Sequence, residues 1–125
     1  MLADATLQTI IWTADTGAAA RFYGDILGLT QLRTSHGALV YAVGAGELRV
    51  SPVPSTTPSP HTVLGFEVAD VRAVARALKA RGIEPERHPG FAHDADGVWR
   101  APDGAQVVWF RDPDGNLLSA VRYSV

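Results

Sequence analysis

Phe110-Arg111-Asp112-Pro113-Asp114-Gly115-Asn116-Leu117-Leu118-Ser119 is a turn set between two apolar runs, Val107-Val108-Trp109-Phe110 before it and residues 117–121 after it. The turn chemistry is explicit: Pro113 fixes φ at the second position, Asp112 can bond the backbone just ahead of it, and Gly115 supplies a positive φ. Two apolar runs joined by such a turn read as a strand hairpin. Working outward, residues 15–29 follow a strand over 7–13 and run through Ala18-Ala19-Ala20-Arg21-Phe22-Tyr23 to Gly28 and Leu29. The same order returns about half a chain later: a strand over 63–68, a helix over 70–81, then Gly82 and Ile83. Gly28 and Gly82 each stand where a helix needs a left-handed terminator. The chain therefore reads as two copies of one β-α-β-β-β unit.

Three of these signatures together resemble the vicinal-oxygen-chelate superfamily, the group of glyoxalase I, bleomycin resistance proteins and extradiol dioxygenases. They are Phe22-Tyr23 with Leu27-Gly28-Leu29, Phe66-Glu67-Val68-Ala69-Asp70, and Asp112-Pro113-Asp114-Gly115-Asn116. The resemblance covers nearly the whole chain and implies an α+β fold in which two paired βαβββ modules form a cupped mixed sheet. It implies no single chemistry, because isomerases, dioxygenases, thiol transferases and drug binders share the fold.

A chain of 125 residues with 46% hydrophobic content can bury a core but is short for two ordinary domains. One domain over 1–125 is expected, with module one at about 5–52, a linker at 53–61 and module two at about 62–125. The linker is the Pro- and Ser-rich run Ser51-Pro52-Val53-Pro54-Ser55-Thr56-Thr57-Pro58-Ser59-Pro60, which cannot lie inside a sheet. Strands are expected at 7–13, 30–34, 39–43, 47–52, 63–68, 85–88, 97–101, 107–110 and 117–122. The eleven Lys and Arg are scattered and the net charge is −2, which argues against nucleic acid as a partner. No apolar run reaches the length of a membrane span, and the start lacks a secretory pattern, so the expected location is cytoplasmic. With no Cys, disulfides, thiol nucleophiles and thiolate metal sites are excluded.

In metal-dependent members of the resembling family, ligands stand on the first and last strands of each module. The resemblance carries those positions onto Gln8, Arg49, Val63 and Ser119. Gln, Arg, Val and Ser do not make a divalent-metal site, which needs imidazole or carboxylate donors. No metal and no cofactor is therefore expected. His61, His88, His93, Asp94 and Asp96 are the remaining donors. They show no spaced ligand motif, and the run His93-Asp94-Ala95-Asp96 reads as a solvated loop.

Without a metal, the cup becomes a binding cavity for a small, partly aromatic or apolar molecule. Period-two alternation puts Gln8, Ile10 and Trp12 on one face of the first strand, with Thr9, Ile11 and Thr13 toward the helix. It likewise puts Leu117, Ser119 and Val121 on the cup face of the last strand. Trp12 is then a candidate stacking wall, with Trp109 or Trp99 as another. Core packing is the simpler account of any one Trp, whereas three in so short a chain favour at least one against ligand. Arg49 is either a carboxylate-recognising guanidinium inside the cup or a solvated Arg on an edge strand near Glu47, and the second is preferred. Phe22 and Tyr23 belong to the core.

The expected ligand-binding set is thus Gln8, Trp12, Arg49, Val63, Trp109 and Ser119, with no catalytic residue assigned. The alternative function is a lyase, isomerase or dioxygenase of the same superfamily, using non-standard residues or a rebuilt metal site. His61, His88 or Glu67 would supply its general base. Ser119 has neither a nucleophile elbow nor a neighbouring His in sequence. Exposed strand edges and the resembling family's habit of pairing modules between chains lead to an expected homodimer.

Overall fold

The computed structural model describes residues 1–124 and divides into two compact units, Met1–Thr56 and Thr57–Val125. Its class is α+β, with two βαβββ-like modules, each built on a four-stranded mixed sheet. The first module runs β1 (Thr9–Thr13), a helix α1 (Thr16–Ala20 continuing through Arg21–Ile26), β2 (Thr30–Ser35), β3 (Ala38–Val43) and β4 (Gly46–Pro52). The second runs β5 (Leu64–Glu67), α2 (Val71–Ala80), β6 (Trp99–Arg100), β7 (Gln106–Arg111) and β8 (Leu117–Arg122). Strand orders are β1-β4-β3-β2 and β5-β8-β7-β6, so the same path is traced twice. In each sheet the first strand lies parallel to the last, and the other pairings are antiparallel.

Both helices start and stop by local chemistry. Asp15 Oδ1 accepts from Ala18 N at 3.0 Å, and Asp70 Oδ1 accepts from Ala73 N at 3.0 Å, each satisfying a donor of the first turn. α2 ends with Gly82 N donating to Lys79 O and Ile83 N to Leu78 O, at φ +84° for Gly82. That pair of bonds is the Schellman arrangement. Gly28, at φ +75°, closes α1. The first helix differs from a plain α-helix: Arg21–Ile26 is a π-helical segment, with Leu27 N bonded to Phe22 O at 2.9 Å. Neighbouring Phe22 and Tyr23 are both buried there and meet edge to face at 5.0 Å.

Each sheet turns one face to its own module's helix. Alternation along β1 buries Ile11 and Thr13 and leaves Ile10 and Trp12 exposed, as their spacing requires. Thr13 keeps its hydroxyl satisfied by donating to Asp15 O and accepting from Asp15 N. In the second module Val71, Ala75, Val98, Val108 and Ala120 form one buried cluster, with Val68 and Val74 against it. Each buried Val contributes roughly 1.5–3 kcal/mol.

The turn at residues 112–116 is fixed by a buried carboxylate. Asp112 Oδ1 accepts from Asp114 N and Asn116 N, Asn116 Nδ2 donates to Asp112 Oδ2 at 2.8 Å, and Gly115 N donates to Asp112 O. Two expected strands are corrected. Residues 85–88 form no strand, only an isolated bridge from Glu86 to Trp109, since Pro85 has no N–H to extend a ladder. Residues 97–101 reduce to β6, because Gly97 at φ +86° cannot continue an extended strand. β2 is exposed through five of its six residues and carries a bulge between Gln31 and Arg33.

Candidate functional site

The open face of the first module is set by strand register. Ile10 and Trp12 on β1 stand beside Arg49 and Ser51 on β4, and Arg49 stands opposite Val40 on β3, itself paired with Arg33 on β2. A cleft of about 490 Å³ lies over this face, lined by Gln8, Arg33, Val40, Glu47 and Arg49 among others. Arg33 and Glu47 close on each other as a fork, Nη1 to Oε1 at 3.2 Å and Nη2 to Oε2 at 2.8 Å. That hydrogen-bonded pairing raises the Arg33 pKa and holds the Glu47 carboxyl below its ordinary range. Arg49 donates from Nη2 to Ser35 O at 2.9 Å and to Ser35 Oγ at 3.3 Å. The edge-strand account of Arg49 is therefore corrected in its strand, although Glu47 does stand near it in the same cleft. β4 is an inner strand, between β1 and β3, and Glu47 is paired with Arg33.

In the second module the open face carries Gly65 and Glu67 on β5, Ser119 and Val121 on β8, Val107 and Trp109 on β7, and Trp99 on β6. These strands are in register across the sheet, so Ser119 lies between Gly65 and Trp109. A side chain at residue 65 would crowd it, since a Cβ there would come 3.3 Å from Ser119 Oγ. A cleft of about 400 Å³ is lined by Thr62, Gly65, Glu67, Trp109, Ser119 and Val121 among others. Val63 is outside that lining and exposed, and its N–H donates to Leu117 O at 3.0 Å. His61 precedes a strand that begins only at Leu64, so it does not share the strand face.

Beside this cleft stands an aromatic assembly that sequence reading left unassembled. Phe91 stacks on Trp99 with centroids 4.5 Å apart and planes 15° from parallel, and both rings lie 5.9 Å from Trp109. His88 meets Trp109 edge to face at 4.6 Å. Phe91 has no periodic signal, because it reaches the sheet from a loop. That loop is not the merely solvated segment expected from its composition. Arg72 on α2 pairs with Asp94 at 2.7 Å and with Asp96 at 2.8 Å, and Arg76 adds a third contact to Asp96. Burial pushes Asp94 upward, but Arg72 and the N–H groups of Val98 and Asp96 outweigh it and leave the carboxyl below its ordinary value; Arg72 does the same to Asp96. His93 Nε2 accepts from His88 N at 3.0 Å, so Nδ1 carries the proton and donates to Gly97 O at 2.8 Å. Both ring nitrogens of His93 are thereby committed to the loop backbone.

The expected binding residues thus fall into separate groups. Gln8 and Arg49 share the cleft of the first module with Trp12 on the same sheet face, while Trp109 and Ser119 share the cleft of the second. The residues at the family's metal positions do not fit a divalent cation: Val63 offers no donor, and Arg49 brings a positive charge. Among the described residues, no group of three or more His, Cys, Asp or Glu is placed to hold a metal ion.

A family model, the Glyoxalase/Bleomycin resistance protein/Dioxygenase superfamily, matches residues 5–119. Among solved structures, a glyoxalase family protein from Enterococcus faecalis is similar at 25% identity and TM-score 0.71, over 97% of this chain and 99% of that one. A member of the superfamily from Sphaerobacter thermophilus has TM-score 0.76 at 17% identity, covering 98% and 99%. Lactoylglutathione lyase from Agrobacterium tumefaciens has TM-score 0.73 at 22% identity, covering 95% and 93%. No curated protein gives a significant match. With the doubled βαβββ path in the structure and a family model spanning nearly all of its length, the chain belongs to the glyoxalase/bleomycin resistance protein/dioxygenase superfamily.

Proposed function

We propose that the chain binds a small, partly aromatic or apolar molecule without the help of a metal, as a sequestering protein. The observation that carries this reading is the stack of Phe91, Trp99 and Trp109 beside the cleft that holds Ser119. Rigid aromatic faces around a concave, partly apolar site are what a planar ligand needs. On this reading Trp109 and Ser119 line the ligand's cleft, with Phe91 and Trp99 beside them, while Gln8, Trp12 and Arg49 stand on the separate open face of the first module and Val63 lies outside the lining. Elemental analysis with a tryptophan-fluorescence ligand screen tests it. The expected result is no stoichiometric Ni, Zn, Mn or Fe and saturable quenching by a planar ligand; one tightly held metal equivalent, lost on changing Gln8 or Ser119, overturns it.

An enzymatic reading, as a lyase, isomerase or dioxygenase, has one supporting feature. Glu67 is the charged side chain among those lining the Ser119 cleft, where a carboxylate serves as a general base. Turnover of a bound ligand, lost in Glu67→Gln with affinity kept, would decide for it. We also propose a symmetric homodimer, since exposed strand edges are normally covered. A monomer in sedimentation at micromolar concentration counts against that.

A further inference from the structure

We infer that the open face of the first module selects small molecules bearing a carboxylate, with Arg49 as the anion-recognising residue. The inference rests on the small-molecule reading above and adds the ligand's charge. Arg49 is half-buried on an inner strand, so its guanidinium is drawn partly out of water. Such a charge is costly unless an anion faces it. The carboxylate close by, Glu47, is already consumed by Arg33 through two hydrogen bonds, and Arg49 has no ion pair among the described residues. Its one anchor is neutral: Nη2 donates to Ser35 O and Oγ, which fixes the plane of the guanidinium while Nε and Nη1 keep their donors free among the described residues.

The surroundings define the rest of the ligand. Strand register places Ile10 beside Arg49, and Trp12 follows two residues along β1 on the same face. Both are about half exposed, at 48% and 51%. Neighbouring strands are spaced by about 4.8 Å and alternate residues by about 7 Å, so an apolar body lying on Ile10 and Trp12 brings its acid group to Arg49. Gln8, in the same cleft, adds a neutral amide to the polar end. Two guanidiniums and one carboxylate line this cleft, leaving a single positive charge. That balance suits a monoanion, and the planar fork of Arg matches a carboxylate.

The test is calorimetric titration of the protein with 2-naphthoate and with its neutral isostere 2-naphthamide. The acid should bind at least about tenfold tighter than the amide to the wild type, a preference that weakens with added salt. Arg49→Gln should bring the ratio close to one, and Arg49→Lys should retain part of it. Equal binding of acid and amide to the wild type, or a preference that survives Arg49→Gln, overturns the inference while the small-molecule reading stands. Should Arg49→Gln fail to fold, the wild-type ratio and Arg49→Lys decide; an undiminished ratio in the Lys variant also overturns the role of the fork. If neither compound binds up to millimolar concentration, the inference falls, and the small-molecule reading falls with it only if the fluorescence ligand screen is blank as well.

Discussion

Gly97→Ala is the sharpest perturbation of the aromatic loop, because its effect separates into parts. Gly97 stands at φ +86°, and a Cβ there would lie 2.5 Å from both Cβ and Cγ of Pro85. The left-handed backbone alone costs a non-glycine residue about 1–2 kcal/mol. A ring carbon at that distance must move, and forced repacking of this kind costs a further ~1–3 kcal/mol. Gly90 supplies the control: it has φ +85° in the same loop, and its added Cβ meets nothing within 4 Å. Urea unfolding followed by tryptophan fluorescence should therefore give about 1–2 kcal/mol for Gly90→Ala and about 2–5 kcal/mol for Gly97→Ala. Adding Pro85→Ala should return part of the difference, because two residues in contact do not add. If Gly97→Ala costs no more than Gly90→Ala, within about 0.5 kcal/mol, the close approach to Pro85 does not shape this loop.

Tyr41 is buried with no hydrogen-bond partner for its hydroxyl among the described residues, and burial, with the charge of nearby Asp25, pushes its pKa upward. Tyr41→Phe should leave stability unchanged or raise it by up to ~1 kcal/mol in the same unfolding assay. Asp94 and Asp96 have lowered folded pKa values, so they hold fewer protons folded than unfolded. Their contribution is full above the ordinary carboxylate range and lost as pH falls through the lowered values. Acidification should thus loosen the loop, seen as a change in Trp99 and Trp109 emission that Arg72→Ala diminishes, Arg76 and the loop N–H groups holding the rest. Trp12→Ala, at a half-exposed position, should cost less than about 2 kcal/mol in folding, well below the roughly 3–5 kcal/mol of a core Trp.

What could be read in advance was whatever local chemistry encodes. Asp15 and Asp70 cap helices by reaching three residues along the chain, and Asp112 folds its turn within four, so each is visible in a short window. The alternation of Ile10, Ile11, Trp12 and Thr13 was visible for the same reason. Residues 85–97 were not, because their shape depends on Arg72 and Arg76, some twenty residues away on α2. Phe91 therefore joined the aromatic stack without any periodic warning. Arg49 was misplaced because strand order is a property of the sheet: only the sequence β1-β4-β3-β2 reveals β4 as internal. The π-helical Arg21–Ile26 was equally hidden, since the Ala18-Ala19-Ala20 run leading into it and its own Arg21, Phe22 and Tyr23 also suit an ordinary helix.

The bulged, exposed β2 has a consequence for handling this protein at high concentration. A straight six-residue edge would offer its free backbone groups to any other copy and template amyloid-like stacking. The irregular step between Gln31 and Arg33 breaks that regular spacing and adds local twist, and Arg33 carries a charge along the rim. Deleting Leu32, the residue inside the step, would restore a regular register along this edge and leave its backbone groups evenly spaced for pairing with another copy.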